Sequence, residues 1–344
     1  MKKRGRGVAC GWYGIARTVT MDRAGAWVEL DDNGSAKVLT GVTEIGEGIL
    51  NVLVQIAADE LGVLPENIVM GDNDTARVPE AAHAGATRQT YMIGNAVALA
   101  CRDARRRLDA ELAAHWGVSV ERITAHAGVV RVIDSHLSMS QSDAVALCKK
   151  RGVVPLGSGS FKAEGTMLDP EDGHCEPWQS YVFGTQVAEV EVDTDTGEVQ
   201  VLGVWAAHDV GRAINPAGVE AQIEGGVVMA LGQALMEDFQ LVEGRPTTTG
   251  FAKYILPTSL DVPQITSIIL EDPDPKSPLG AKGIGEPAMV PTVPAILNAI
   301  YDAVGVRIRS LPATPEKVLQ GLSEKQAPAA GAPTSRGILR EGAS

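Results

Sequence analysis

Apolar and polar positions along the chain follow two rhythms. From Val187 to Val192 they alternate strictly, the period of a strand with one buried face. Asp193-Thr194-Asp195-Thr196-Gly197 then turns the chain into a second run from Glu198 to Val204. The opening residues Arg6–Cys10 and Trp12–Ile15 are also strand-like, and Ala26–Leu30 and Ala36–Thr40 flank Asp32-Asn33-Gly34, a hairpin signal. The helical rhythm appears at Leu50, Leu53, Val54, Ala57, Ala58 and Leu61, with Gly62 as a C-terminal stop. It returns at Val97, Ala100, Cys101, Ala104, Leu108 and Leu112, opposite a polar face with Arg102, Arg105, Arg106 and Arg107. That arginine run reads as a solvated face or as a partner contact. A long Gly/Ala-rich helix is expected from Pro216 to Met236, and a last one from Val293 to Val304. Between 120 and 180 the pattern is weak: a short strand near Val129–Ile133, and a Ser/Gly-rich stretch at Gly157-Ser158-Gly159-Ser160.

Composition narrows the function. The chain has 344 residues, and 43 Asp+Glu against 30 Lys+Arg give a net charge of −13, which argues against general nucleic-acid binding. The four cysteines, Cys10, Cys101, Cys148 and Cys175, form no CxxC pair, so no iron–sulfur or zinc site is expected within the chain. No stretch is long and apolar enough for a membrane span, and no apolar segment follows the basic Met1-Lys2-Lys3-Arg4. A cytoplasmic protein is expected.

Three glycine-bearing loops precede predicted helices: Gly46-Glu47-Gly48, Gly85-Ala86-Thr87 and Gly283-Ile284-Gly285. Free N–H groups at such places bind anions, and small residues let a large ligand approach the main chain. None matches a phosphate-loop or dinucleotide fingerprint. Gln222 is an amide on an apolar helix, a surface residue or one that bonds a polar cofactor. Glu286, followed by Pro287 among glycines and apolar residues, reads as a partly desolvated general base or as a carboxylate facing a helix N-terminus.

Val42-Thr43-Glu44-Ile45-Gly46-Glu47-Gly48, Gly85-Ala86-Thr87-Arg88-Gln89-Thr90, Asp209–Pro216 with Gln222-Ile223-Glu224-Gly225, and Lys282-Gly283-Ile284-Gly285-Glu286-Pro287 occur in that order. Over roughly residues 5–320 the chain resembles the molybdenum hydroxylases of the xanthine dehydrogenase/aldehyde oxidase family. The resemblance is to the second molybdopterin-binding domain, here as a separate subunit like the medium molybdopterin subunit of nicotinate dehydrogenase. It implies an α+β fold, with mixed sheets packed against helices in two interleaved subdomains over residues 1–322. Residues 323–344, Ala/Pro/Gly/Ser-rich and aperiodic, are expected to form a flexible tail.

The resemblance also implies roles. Glu286 would be the base in a hydroxylation that takes its oxygen from water. Gly46, Glu47, Gly48, Gly85, Ala86, Thr87, Gln222, Lys282, Gly283 and Gly285 would contact molybdopterin, in its cytosine dinucleotide form, with molybdenum held by the pterin rather than by the protein. A large subunit with the first cofactor domain, an iron–sulfur subunit with [2Fe–2S] clusters and a flavin subunit with FAD would complete the enzyme.

Two departures stand out. The family commonly has Gln where this chain has Glu47, whose carboxyl donates a hydrogen bond only when protonated. Arg17 falls where an aromatic ring often lines the substrate channel, in the stretch Tyr13–Thr18. It suggests an anionic N-heteroaromatic substrate such as nicotinate, or else a pairing with the partner subunit. Within the class, xanthine or purine is the rival substrate, and carbon monoxide or an aldehyde a more distant one. Outside it, the rival is a non-catalytic scaffold for the cofactor.

Overall fold

A computed structural model of the chain describes residues 1–17, 22–164 and 168–326. The first half runs β1 (Lys2–Gly14), β2 (Arg23–Leu30), β3 (Ala36–Leu39), α1 (Ile49–Leu61), β4 (Ile68–Met70) and α2 (Gly94–Trp116). Next come β5 (Ile123–His126), β6 (Val129–Val132), β7 (Ser138–Ser140), α3 (Gln141–Lys150) and β8 (Leu156–Lys162). The remainder is β9 (Tyr181–Asp193), β10 (Val199–Asp209), α4 (Pro216–Leu235), the short pair β11 (Leu241–Val242) and β12 (Arg245–Pro246), β13 (Gln264–Leu270), α5 (Thr292–Val304) and α6 (Pro315–Gln326).

Two four-stranded sheets carry the fold, β1-β9-β10-β13 and β4-β3-β2-β8. Each is antiparallel except for one parallel pair, β10 with β13 and β3 with β4. The expected hairpin is present, with Leu30 paired to Ala36. The helix at 49–61 ends, as its pattern predicts, on a left-handed Gly62. α6 runs to Gln326, past the boundary at 322, and the rest of the expected tail, 327–344, lies outside the described residues.

The Ser/Gly-rich stretch is a strand, β8. Its glycines face α2: a Cβ on Gly157 would lie 2.0 Å from the Ala100 carbonyl oxygen, and one on Gly159 2.1 Å from that of Ala96. β1 packs on α5 in the same way, through Gly5 against Ala299 and Gly7 against Ala295. Strand and helix backbones touch directly, which a side chain on either strand face would prevent. The arginine face of α2 is satisfied within the chain. Arg102 bonds Glu60, Arg106 and Arg107 bond Asp103, and the buried Arg105 pairs with Asp109.

The chain enters the first sheet with β1, builds the second sheet from residues 23–162, and returns with β9. Loops of both sheets therefore meet, and the candidate site lies among them.

Candidate active site

The 44–48 loop is shaped by Glu44. Its carboxylate accepts from the N–H groups of Gly46 (2.9 Å), Gly48 (2.8 Å) and Leu50 (3.2 Å), so it occupies the N-terminus of α1. Gly46 (φ 107°) and Gly48 (φ 85°) supply the left-handed turns this requires. Glu47 lies beside it. One of its oxygens accepts from the Ile45 N–H at 2.8 Å, while the other, Oε1, is buried with no hydrogen-bond partner among the described residues. Burial, with the Glu44 carboxylate adding to it, raises the Glu47 pKa, which favours the protonated form that can donate. Replacing Glu47 by Gln should therefore raise stability at neutral pH. A carboxyl with a raised folded-state pKa binds its proton better folded than unfolded, so stability falls as pH climbs from the unfolded to the folded pKa. The advantage of Glu47→Gln should shrink as pH is lowered through that window, read as the difference in melting temperature between the two proteins.

The 85–87 loop bends sharply. Gly85 has φ 150°, and Ala86 (φ 54°) and Thr87 (φ 51°) are left-handed, a conformation that costs a residue with a Cβ about 1–2 kcal/mol. Three contacts hold it there. The Ala86 carbonyl accepts from the Ala16 N–H at 2.9 Å, the Ala86 N–H donates to Glu286 Oε1 at 2.8 Å, and the Thr87 hydroxyl donates to Glu286 Oε2. Tyr13 meets the same carboxylate. Its phenol is pushed to a higher pKa by burial first, then by the charge of Glu286 and a hydrogen bond to it. Glu286 is thus gripped by residues from β1 and from the inserted half.

Behind the loop, Arg88 is wholly buried. It makes a bidentate pair with Asp22 (2.7 Å at the closest) and donates to the carbonyls of Ala81 and His83. Arg88 and Asp22 are far apart in sequence, and nothing local marks their pairing. Glu44 went without a role, although a carboxylate before a glycine loop at a helix start is a capping signal.

Glu286 opens onto a cavity of about 440 Å³. Glu47, Gly48, Gly85, Thr87, Gln222, Lys282, Gly283 and Gly285 line it too, so the expected cofactor residues from three loops and a helix converge. The Gln222 amide has no hydrogen-bond partner among the described residues, and its Oε1 is 3.6 Å from where a Gly285 Cβ would sit. A Cβ on Gly283 would strike Thr87 at 2.5 Å. Gly46 and Ala86 support the lining without facing the cavity.

Three placements differ from expectation. The Lys282 ammonium is half of a buried ion pair with Asp209 (2.6 Å), so Lys282 offers the cavity its backbone and stem rather than a free charge. Gly283–Gly285 does not open directly onto a helix: a short turn, Glu286–Ala288, separates it from the expected last helix, which is α5, starting at Thr292. Arg17 is exposed and outside the lining. Its N–H bonds Asp22 at 3.1 Å, one residue beyond the Ala16 that bonds Ala86. Thr18, the end of the expected channel stretch, lies outside the described residues.

An orphaned carboxyl oxygen, a free amide and close-approach glycines around one cavity suit a large polar cofactor. Residues 1–263 match the molybdopterin cofactor-binding domain model, and the chain belongs to that family, within the xanthine dehydrogenase/aldehyde oxidase molybdenum hydroxylases. It is 32% identical over 333 residues to the 6-hydroxypseudooxynicotine dehydrogenase complex subunit gamma of Paenarthrobacter nicotinovorans, covering 91% of this chain and 40% of that one. It is 33% identical to a probable xanthine dehydrogenase subunit of Bacillus subtilis, covering 94% of this chain and 42% of the relative. Among solved structures it is similar to quinoline 2-oxidoreductase from Pseudomonas putida 86, with a TM-score of 0.83 at 28% identity over 94% of this chain and 42% of that one. Aldehyde oxidoreductase from Desulfovibrio gigas gives 0.81 at 30% identity, over 94% of this chain and 33% of that one. The chain thus spans about two fifths of the curated relatives it matches first.

Proposed function

We propose that this chain is the second cofactor-binding half of a multi-subunit molybdenum hydroxylase acting on an N-heteroaromatic, nicotinate-like substrate, with water as the oxygen source. The observation that carries the reading is Glu286, fixed at the wall of the cavity by Ala86, Thr87 and Tyr13. When bound, molybdopterin in its cytosine dinucleotide form supplies molybdenum, which accepts the two electrons taken from the substrate. Gly48, Gly85, Thr87, Gln222 and the Gly283–Gly285 backbone hold that cofactor. Glu47 offers it a donated hydrogen bond. Glu286 accepts the proton released as oxygen is delivered to the electron-poor ring carbon.

The large subunit with the first cofactor domain closes the cavity, and [2Fe–2S] and FAD subunits carry electrons away, in the cytoplasm. The word "complex" in one relative's name supports this assembly. So do the exposed apolar side chains of Phe239, Phe251, Ile255 and Leu260 beyond α4. No helix among the described residues is long and apolar enough to cross a membrane.

Names that specify pseudooxynicotine and quinoline support a heteroaromatic substrate, whereas the B. subtilis relative favours xanthine as the second reading. Turnover of nicotinate and of xanthine by the co-purified complex, with its molybdenum content measured, separates the two. Arg17, outside the cavity lining of this chain, is the proposed contact for a substrate carboxylate on the side that the large subunit closes. Arg17→Ala is expected to raise KM for nicotinate about tenfold at unchanged kcat, the loss of one charge-assisted contact. An unchanged KM removes the contact and leaves Arg17 to a partner subunit.

A further inference from the structure

One buried polar group on the inner face of β9 has no part in the chemistry above. Inward positions of β9 are Val182, Gly184, Gln186, Ala188, Val190 and Val192, and Gln186 breaks the apolar series. It is fully buried, as are His208 on β10 and Thr292 at the start of α5. The Gln186 Nε2 donates to the Ala288 carbonyl oxygen at 2.6 Å and lies 3.0 Å from His208 Nε2. The Gln186 Oε1 accepts from the Thr292 hydroxyl at 2.5 Å. A carbonyl oxygen only accepts, so Nε2 is the amide nitrogen, and its second hydrogen points to His208. His208 must therefore present a bare Nε2 and carry its proton on Nδ1, which has no partner among the described residues. Burial agrees with a neutral ring, holding the His208 pKa down to about 4. Gly184 leaves the room for that ring, since a Cβ there would sit 2.4 Å from Nδ1.

The geometry points to Gln186 as the positioning residue for Glu286. The turn Glu286–Ala288 is tied at its first residue by Ala86, Thr87 and Tyr13, and at its last by the Gln186 amide. The opposite side of Ala288 packs on Gly226 of α4, where a Cβ would be 2.7 Å from that of Ala288. Gln186 in turn is held from both sides, by Thr292 through its oxygen and by His208 through its nitrogen. With every group paired but one, the network allows the turn a single arrangement. The role rests on the reading of Glu286 as the base, but the placement of Glu286 is measurable without turnover.

Tyr13 is that measure, because Glu286 contributes to its raised pKa. The full chain, labelled at the tyrosine ring carbons, is titrated by NMR, with Tyr13 assigned from Tyr13→Phe. Gln186→Leu should move the Tyr13 titration down towards that of an ordinary phenol. In the assembled enzyme the same variant should lower kcat about 10- to 100-fold, as a displaced catalytic group does, with KM and molybdenum content kept. Thr292→Val, which removes one hydroxyl and keeps the shape, should do both more weakly and serves if Gln186→Leu does not fold. A Tyr13 titration unmoved in the folded variants overturns the inference, as does a loss of kcat matched by loss of molybdenum. If Tyr13 shifts but Glu286→Gln leaves turnover intact, Gln186 still positions Glu286 and it is the base assignment that fails.

Discussion

Glu286→Gln is expected to lower kcat of the assembled enzyme by about 10²–10⁴-fold, the usual contribution of a general base, with molybdenum content unchanged. The substitution keeps the size of the side chain. Its amide oxygen can still accept from either Ala86 or Thr87, so the turn should hold its place. What is lost is the carboxylate that can take up a proton at that point of the cavity wall. A variant with metal bound and no turnover supports the base. Full turnover would instead favour a scaffold that only holds the cofactor.

The second large effect is on stability. Arg88→Leu should destabilise the protein by about 3–5 kcal/mol, because it leaves the Asp22 carboxylate buried without its counter-charge. The same change frees the Ala81 and His83 carbonyls from the guanidinium and loosens the approach to the strained Gly85–Thr87 bend. Denaturant midpoints of Arg88→Leu, Asp22→Asn and the double variant test it. The double variant should lose less than the sum of the two single losses, since the second change removes the group the first left unpaired. Additive losses below about 1 kcal/mol each would mean that the pair is not the brace it looks to be.

Much of this was legible in the sequence where one local rule acted alone. The spacing of Leu50 to Leu61 and the Gly62 stop defined α1, and Asp32-Asn33-Gly34 defined the first hairpin. The site loops were found because glycines cluster before them and because four motifs follow in the family's order. β8 was missed because its strand character comes from α2. Gly157 and Gly159 are poor strand formers that the close backbone of Ala96 and Ala100 requires. Arg88 and Asp22 become partners only when the chain folds back on itself. The true surroundings of Lys282 likewise depend on Asp209, which no local pattern ties to it. Gln186 did leave a trace: a polar residue at an inward position of an otherwise strictly alternating strand.

The detour of the chain between its two sheets bears on how the protein is made. Lys2 pairs with Asp193 and Gly14 with Tyr181, so the first strand leaves the ribosome long before its neighbour exists. In that interval the residues from Arg23 to Lys162 can pair and pack among themselves, because that sheet and the helices on it draw on no later strand. The other sheet must wait, with the backbone N–H and C=O groups of β1 unpaired until β9 is made. Chaperone demand in the cell should therefore track the synthesis of residues 15–180, and a pause there would prolong the risk of aggregation. The grip on Glu286, which joins the beginning, middle and end of the chain, is among the last things translation can deliver.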